Sequence, residues 1–106
     1  MTDLKLNEFE TACIATDKTY SCGSEARLYH YITGLCAETG EVAELFQMAI
    51  REDKVTDIFI DPNRLKDELG DVLWYLTRLA NDQGISLELI IDYNMLKLKK
   101  RLSEEK

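Results

Sequence analysis

Two short acidic stretches, Glu38-Thr39-Gly40-Glu41 and Glu68-Leu69-Gly70-Asp71, constrain the fold of this chain more than any other feature, and 26 residues separate them. Each lies in a segment whose apolar residues recur with helical period. At positions i and i+3 the two acids of a pair stand about 60° apart on one helix face. That face is the apolar one. Beside Glu38 and Glu41 it carries Tyr31, Leu35, Val42, Leu45 and Ala49; beside Glu68 and Asp71 it carries Leu65, Val72, Tyr75 and Leu79. Both segments therefore set a pair of acids where a core helix holds Leu or Ile.

Carboxylates that leave water need a partner, and like charges at i,i+3 repel. The i+4 positions that would supply a cation are Val42, Leu45, Val72 and Tyr75, none of them basic; only Arg64, four residues before Glu68, offers a local partner. One such pair among 20 acidic residues in 106 reads as a solvated helix face. Two pairs, both on the apolar side and both short of basic neighbours, point to a metal site. An all-oxygen ligand set suits a hard divalent cation, Mg²⁺ or Mn²⁺.

The length fits one domain over residues 1–106. A chain of this size buries only about two-thirds of its unfolded surface, so its core is thin. The net charge of −7 argues against nucleic acid or an anionic membrane as a main partner. It leaves room for a phosphate ligand, because bound cations invert the local sign. Cys13, Cys22 and Cys36 form an odd set without C-x-x-C spacing, and no signal peptide or apolar run of membrane length is visible. The expected compartment is the reducing cytoplasm, with the cysteines as small fillers rather than ligands.

Helix signals divide the chain into four segments. A first helix is predicted from Asn7, with Asn7 as cap and Glu10 at the N3 position of a capping-box-like arrangement. Ser21-Cys22-Gly23-Ser24 breaks it, and Ser24 suits the cap of a second helix over 25–51. That helix contains Gly34 and Gly40, and Gly70 holds the place of Gly40 in the second acidic pair. Close packing around a shared site, or glycines tolerated at the edge of a buried face, would each explain them. Residues 52–60 form a connector with an apolar patch, Ile58-Phe59-Ile60. Asp61 before Pro62 starts a third helix that runs to about Asp82 and stops near Gly84; Ser86 caps a fourth, ending near Leu102. The fold class is all-α, a bundle of four main helices. On the last helix Asn94, Lys97 and Arg101 share one face beside Ile90 and Leu98. Such a strip is either a solvated basic face or a phosphate-facing one, Lys acting as a point charge and Arg as a fork.

At this point the residues resemble a known family, the MazG-like nucleoside triphosphate pyrophosphohydrolases. The stretch from Gly34 to Leu45 resembles their first motif, Asp67 to Tyr75 their second, and Asn94 to Arg101 their C-terminal signature, so the likeness covers about residues 25–102. The resemblance implies an all-α fold, dimers or dimers of dimers, and Mg²⁺-dependent cleavage between the α- and β-phosphates to a nucleoside monophosphate and pyrophosphate. It implies Glu38, Glu41, Glu68 and Asp71 as metal ligands and Asn94, Lys97 and Arg101 as phosphate contacts. Tyr75 matches an aromatic residue that packs on the nucleotide in pyrimidine-directed relatives, whereas Trp74, about 100° away on the helix, reads as core or interface. Ala37 stands where many relatives carry another acid, and the chain is a single short domain, unlike tandem bacterial forms.

The chemistry follows from such a site. Metals bridging phosphate oxygens neutralise charge most strongly as it builds in the transition state. Glu38 or Glu41 would hold the attacking water as base, and the sequence does not choose between them. Glu44 reads as an outer or surface residue, and His30 as a surface or core histidine. The leading expectation is removal of pyrophosphate from (deoxy)nucleoside triphosphates as nucleotide-pool housecleaning. The alternatives are a hydrolase directed at deoxyuridine triphosphate or an alarmone on the same helical plan, and a non-catalytic binding or antitoxin-like module whose acids hold a structural metal. Four helices with acids on their buried sides cannot close an apolar core from about 100 residues. A homodimer or homotetramer with shared pockets is therefore expected.

Overall fold

A computed structural model describes the backbone of residues 3–53 and 60–105. Four α-helices make up the fold: α1 (Asp3–Ala15), α2 (Ser24–Asp53), α3 (Pro62–Asp82) and α4 (Leu87–Glu104), with no strand among the described residues. The all-α expectation holds. Of the connector patch, Ile58 and Phe59 lie outside the described residues, and Ile60 is half-buried just before α3.

The starts of α3 and α4 follow the capping chemistry read from the sequence. The Asp61 carboxylate accepts from the Asn63 backbone N–H at 3.0 Å, with Pro62 opening the helix. The Ser86 hydroxyl accepts from Leu89 N–H at 3.2 Å. Between them Gly84 takes φ +74°, a left-handed turn that L side chains rarely adopt. In α2 the first turn closes through Arg27 N–H to the Gly23 carbonyl at 3.0 Å, so Ser24 stands inside the helix rather than before it.

The N-terminal capping box is not formed. Helix α1 is already under way at Asp3, and Asn7 is an interior residue whose carbonyl accepts from the Thr11 hydroxyl. Glu10 works at long range instead. Its Oε2 accepts from Asn81 Nδ2 at 2.7 Å and from the Leu87 backbone N–H at 3.2 Å, so a carboxylate of α1 caps the first residue of α4. The cysteine reading holds for one residue of three: Cys13 is a buried filler, but Cys22 and Cys36 are exposed.

Helix α2, about 45 Å long at 1.5 Å per residue, lies along α3. Helix α1 packs on α3, and α4 touches α1 and α3 but not α2. Beyond Leu87, every described residue of α4 is exposed, including Leu89, Ile91, Tyr93, Leu96 and Leu102. The radius of gyration, 17.1 Å, exceeds the roughly 13 Å of a compact domain of this length.

The best-buried polar cluster ties the turn after α1 to both long helices. Arg78 of α3 donates through Nε to Asp17 at 2.8 Å and through a terminal nitrogen to the Tyr31 hydroxyl at 3.0 Å, and Tyr31 donates to Asp17. Thr19 adds its backbone N–H and hydroxyl to the other Asp17 oxygen. The ion pair is almost wholly buried, with 3% and 0% of the two side chains exposed. Burial alone would raise the Asp17 pKa, but hydrogen bonds from Tyr31, Arg78 and Thr19 outweigh it and hold the carboxyl well below the usual range. This cluster fixes where α2 and α3 face each other at one end of their contact.

Candidate active site

The acidic pairs meet where α2 and α3 run side by side. Glu38, Glu41 and Glu68 each place one carboxylate oxygen within 4.8 Å of the others. The pairs enter the interface by one member each: Glu38 and Glu68 are half-buried, while Glu41 and Asp71 are exposed. Asp71 shares with Glu38 the wall of a cavity of about 280 Å³ that Trp74 and Tyr75 complete. The apolar positions flanking the acids behave as the periodicity implies, with Tyr31 and Leu45 buried and Leu35, Val42, Leu65 and Val72 half-buried.

No cation among the described residues answers these charges. Among the described residues the ion pairs are Arg27–Asp82 and Arg78–Asp17, and Arg64 is exposed and pairs with neither. Oε2 of Glu38 and Oε2 of Glu68 are buried without a hydrogen-bond partner. Burial raises the Glu38 pKa, followed by repulsion from Glu41 and Asp71. Burial also raises Glu68, with Glu41 and Asp71 adding to it. Asp71 rises through burial and its neighbours Asp67 and Glu41. Orphaned carboxylate oxygens converging from two helices are what a hard divalent cation satisfies, so the residues present fit such an ion.

The aromatic side of the cavity rests on a glycine. A Cβ on Gly34 would overlap the Tyr75 ring, so that ring lies directly on the α2 backbone. His30 and Trp74 meet it edge-on at 5.4 and 4.9 Å between centroids. His30, half-buried and engaged with two tyrosines, is thus a packing residue. Burial raises the Tyr75 pKa, and then the charges of Glu38 and Asp71 raise it further. Close approach is absent at Gly40 and Gly70, where a Cβ would meet nothing within 4 Å; of the three helical glycines, only Gly34 makes one.

Within one protomer Asn94 and Lys97 line a different cavity from the one that Glu38 and Asp71 share, and α4 does not touch α2. Asn94, Lys97 and Arg101 are all exposed, and the Lys97 ammonium sits 5.9 Å from the centre of the Tyr93 ring. Sequence reasoning placed Trp74 in the core or at an interface, yet it lines the cavity beside Glu38 and Asp71. Its spacing held the signal: Trp74 is i+3 from Asp71, the same relation that joins Glu38 to Glu41.

The fold and site together are an all-α chain with a two-helix carboxylate cluster and an adjoining aromatic cavity. Comparison with known proteins makes this specific. Residues 27–104 match the MazG nucleotide pyrophosphohydrolase domain, and the chain belongs to that family. It is also similar to the Gene 37 protein of Mycobacterium phage L5, at 34% identity over 82 residues, covering 76% of this chain and 70% of the relative. No solved structure matches it. A MazG domain carries nucleotide pyrophosphohydrolase activity as its general function. No helix among the described residues is long and apolar enough to cross a membrane.

Proposed function

We propose that this chain, as one domain over residues 1–106, hydrolyses (deoxy)nucleoside triphosphates to a nucleoside monophosphate and pyrophosphate in cytoplasmic nucleotide housecleaning. The observation that carries this reading is the convergence of Glu38, Glu41 and Glu68 with two buried, unpartnered carboxylate oxygens. Together with Asp71 they would hold Mg²⁺, with Mn²⁺ as a substitute. A divalent cation there supplies charge neutralisation for the triphosphate, most strongly as charge builds in the transition state.

The chain's own groups do the rest. Glu41, the exposed member of the first pair, would orient the attacking water and take its proton, with the half-buried Glu38 as the other candidate base. Tyr75, which lines the cavity, would pack against the nucleotide. Asn94, Lys97 and Arg101 would meet the phosphates from α4 of a second copy, a reading supported by the separate cavity that Asn94 and Lys97 line within their own protomer. The exposed apolar residues of α4 and the extended shape of one protomer support a homodimer or homotetramer.

Incubation of the pure protein with a panel of triphosphates and Mg²⁺ tests the reaction. The expected products are monophosphate and pyrophosphate; release of orthophosphate, or no product at all, counts against it. Light scattering tests the assembly, and full activity at a mass of 12.2 kDa would remove the second copy from the site.

A further inference from the structure

The cavity beside the carboxylates has two aromatic walls, and they are held in different ways. The Tyr75 ring is seated on the α2 backbone at Gly34 and braced by His30, so α2 covers it from behind. Trp74 is anchored by one directional bond: its indole Nε1 donates to Thr16 Oγ1 at 2.9 Å, across 58 residues of sequence. The Thr16 hydroxyl spends its own proton on the Ala12 carbonyl at 2.8 Å, which leaves its lone pairs for the indole. Thr16 adjoins Asp17, which Arg78, Tyr31 and Thr19 fix in place. The indole is therefore oriented by a rigid turn, while its ring remains half-buried at a cavity that also contains Glu38 and Asp71.

We propose that Trp74 is the wall on which the nucleobase stacks, with Thr16 as its positioning residue and Tyr75 as the backing ring. This deepens, and rests on, the nucleoside triphosphate reading. A flat, π-rich side chain near a phosphate-binding centre suits the planar part of a nucleotide, and stacking tolerates different bases because each has a π-face. The cavity of about 280 Å³ sits just below the roughly 300–1,000 Å³ usual for ligand pockets, room for a base while the phosphates extend over the carboxylates.

Trp74 is the one tryptophan of the chain, so its emission reports on the site directly. The test titrates the intact protein in Mg²⁺ with an α,β-methylene nucleoside triphosphate and, separately, with inorganic tripolyphosphate. Quenching by the nucleotide analogue and much less by tripolyphosphate is expected. Trp74→Ala should raise KM for triphosphates about 10- to 100-fold, the range that loss of one stacked base implies, and Trp74→Phe should recover most of it. Thr16→Val should shift the emission and raise KM with kcat retained, a split that a general loss of folding would not give. Equal quenching by both ligands, or an unchanged KM in Trp74→Ala, overturns the proposal while leaving pyrophosphate release by the wild type intact. Failure of the wild type to cleave any triphosphate, with nucleotide-specific quenching still present, removes the reaction and keeps the stacking wall. If Trp74→Ala does not fold, the wild-type titrations and Trp74→Phe decide alone.

Discussion

Two groups of carboxylates sit against the same pair of helices, and they are treated in opposite ways. Around Asp17 the charge is fully answered: Arg78 pairs with it, and Tyr31 and Thr19 fill its remaining lone pairs. Around Glu38, Glu41, Glu68 and Asp71 nothing among the described residues answers the charge, and two buried oxygens have no partner there. The pKa directions record the difference, Asp17 held low and Glu38, Glu68 and Asp71 pushed up. A satisfied buried charge stiffens a fold, whereas an unsatisfied cluster is a place kept for something else.

The largest effect should come from breaking the satisfied cluster. Asp17→Asn leaves Arg78 buried without its counter-charge, and stability should fall by about 3–5 kcal/mol, read by urea denaturation. In the unsatisfied cluster the same chemistry should cost activity instead. Glu41→Gln or Asp71→Asn should lower turnover by about 10²–10³-fold or more while the helical circular dichroism is unchanged. Near wild-type turnover in either variant would remove that carboxylate from the site. A smaller loss is expected on α4: Lys97→Ala and Arg101→Ala should each weaken triphosphate binding by about 1.5–3 kcal/mol and nucleoside binding less. Equal losses for both ligands would make the strip an ordinary solvated face.

The smallest effect is on pH dependence, and its sign differs between the clusters. Asp17 contributes stability that is present above the ordinary carboxylate pKa of 3.8 and is lost as pH falls toward its lowered folded value. Glu68 does the reverse. With its pKa raised above 4.5, its contribution is fully present below that value and is lost as pH rises through the folded pKa. Without metal, the melting temperature of Glu68→Gln should therefore exceed that of the wild type by a margin that widens from pH 4 to pH 7. A constant margin would mean that Glu68 does not feel its neighbours.

Only one of the two clusters was legible in the sequence, for a physical reason. The acidic pairs repeat a local spacing on an apolar stripe, and the Asp61-Pro62, Gly84 and Ser86 signals are equally local, so α3, α4 and the meeting of the acids could be read directly. Asp17, Tyr31 and Arg78 come together across separations of up to 61 residues, and no period or motif announces such a network. Glu10 misled because its spacing to Asn7 imitates a local capping box, while its real partners, Asn81 and Leu87, lie 71 and 77 residues away. The place of Trp74 on the cavity wall follows from its angle to Asp71, while its bond to Thr16, 58 residues away, had no local signal.

The central claim, that the unanswered carboxylates are a cation site, is tested most directly by melting the chelator-treated protein with and without Mg²⁺, in the wild type and in Glu68→Gln. Binding to the folded state alone raises the melting temperature with cation concentration. The wild type should therefore gain stability with Mg²⁺. Glu68→Gln should start higher in the absence of metal and gain little or nothing when Mg²⁺ is added. Equal Mg²⁺-induced shifts in the two proteins, or none in the wild type, would contradict the account.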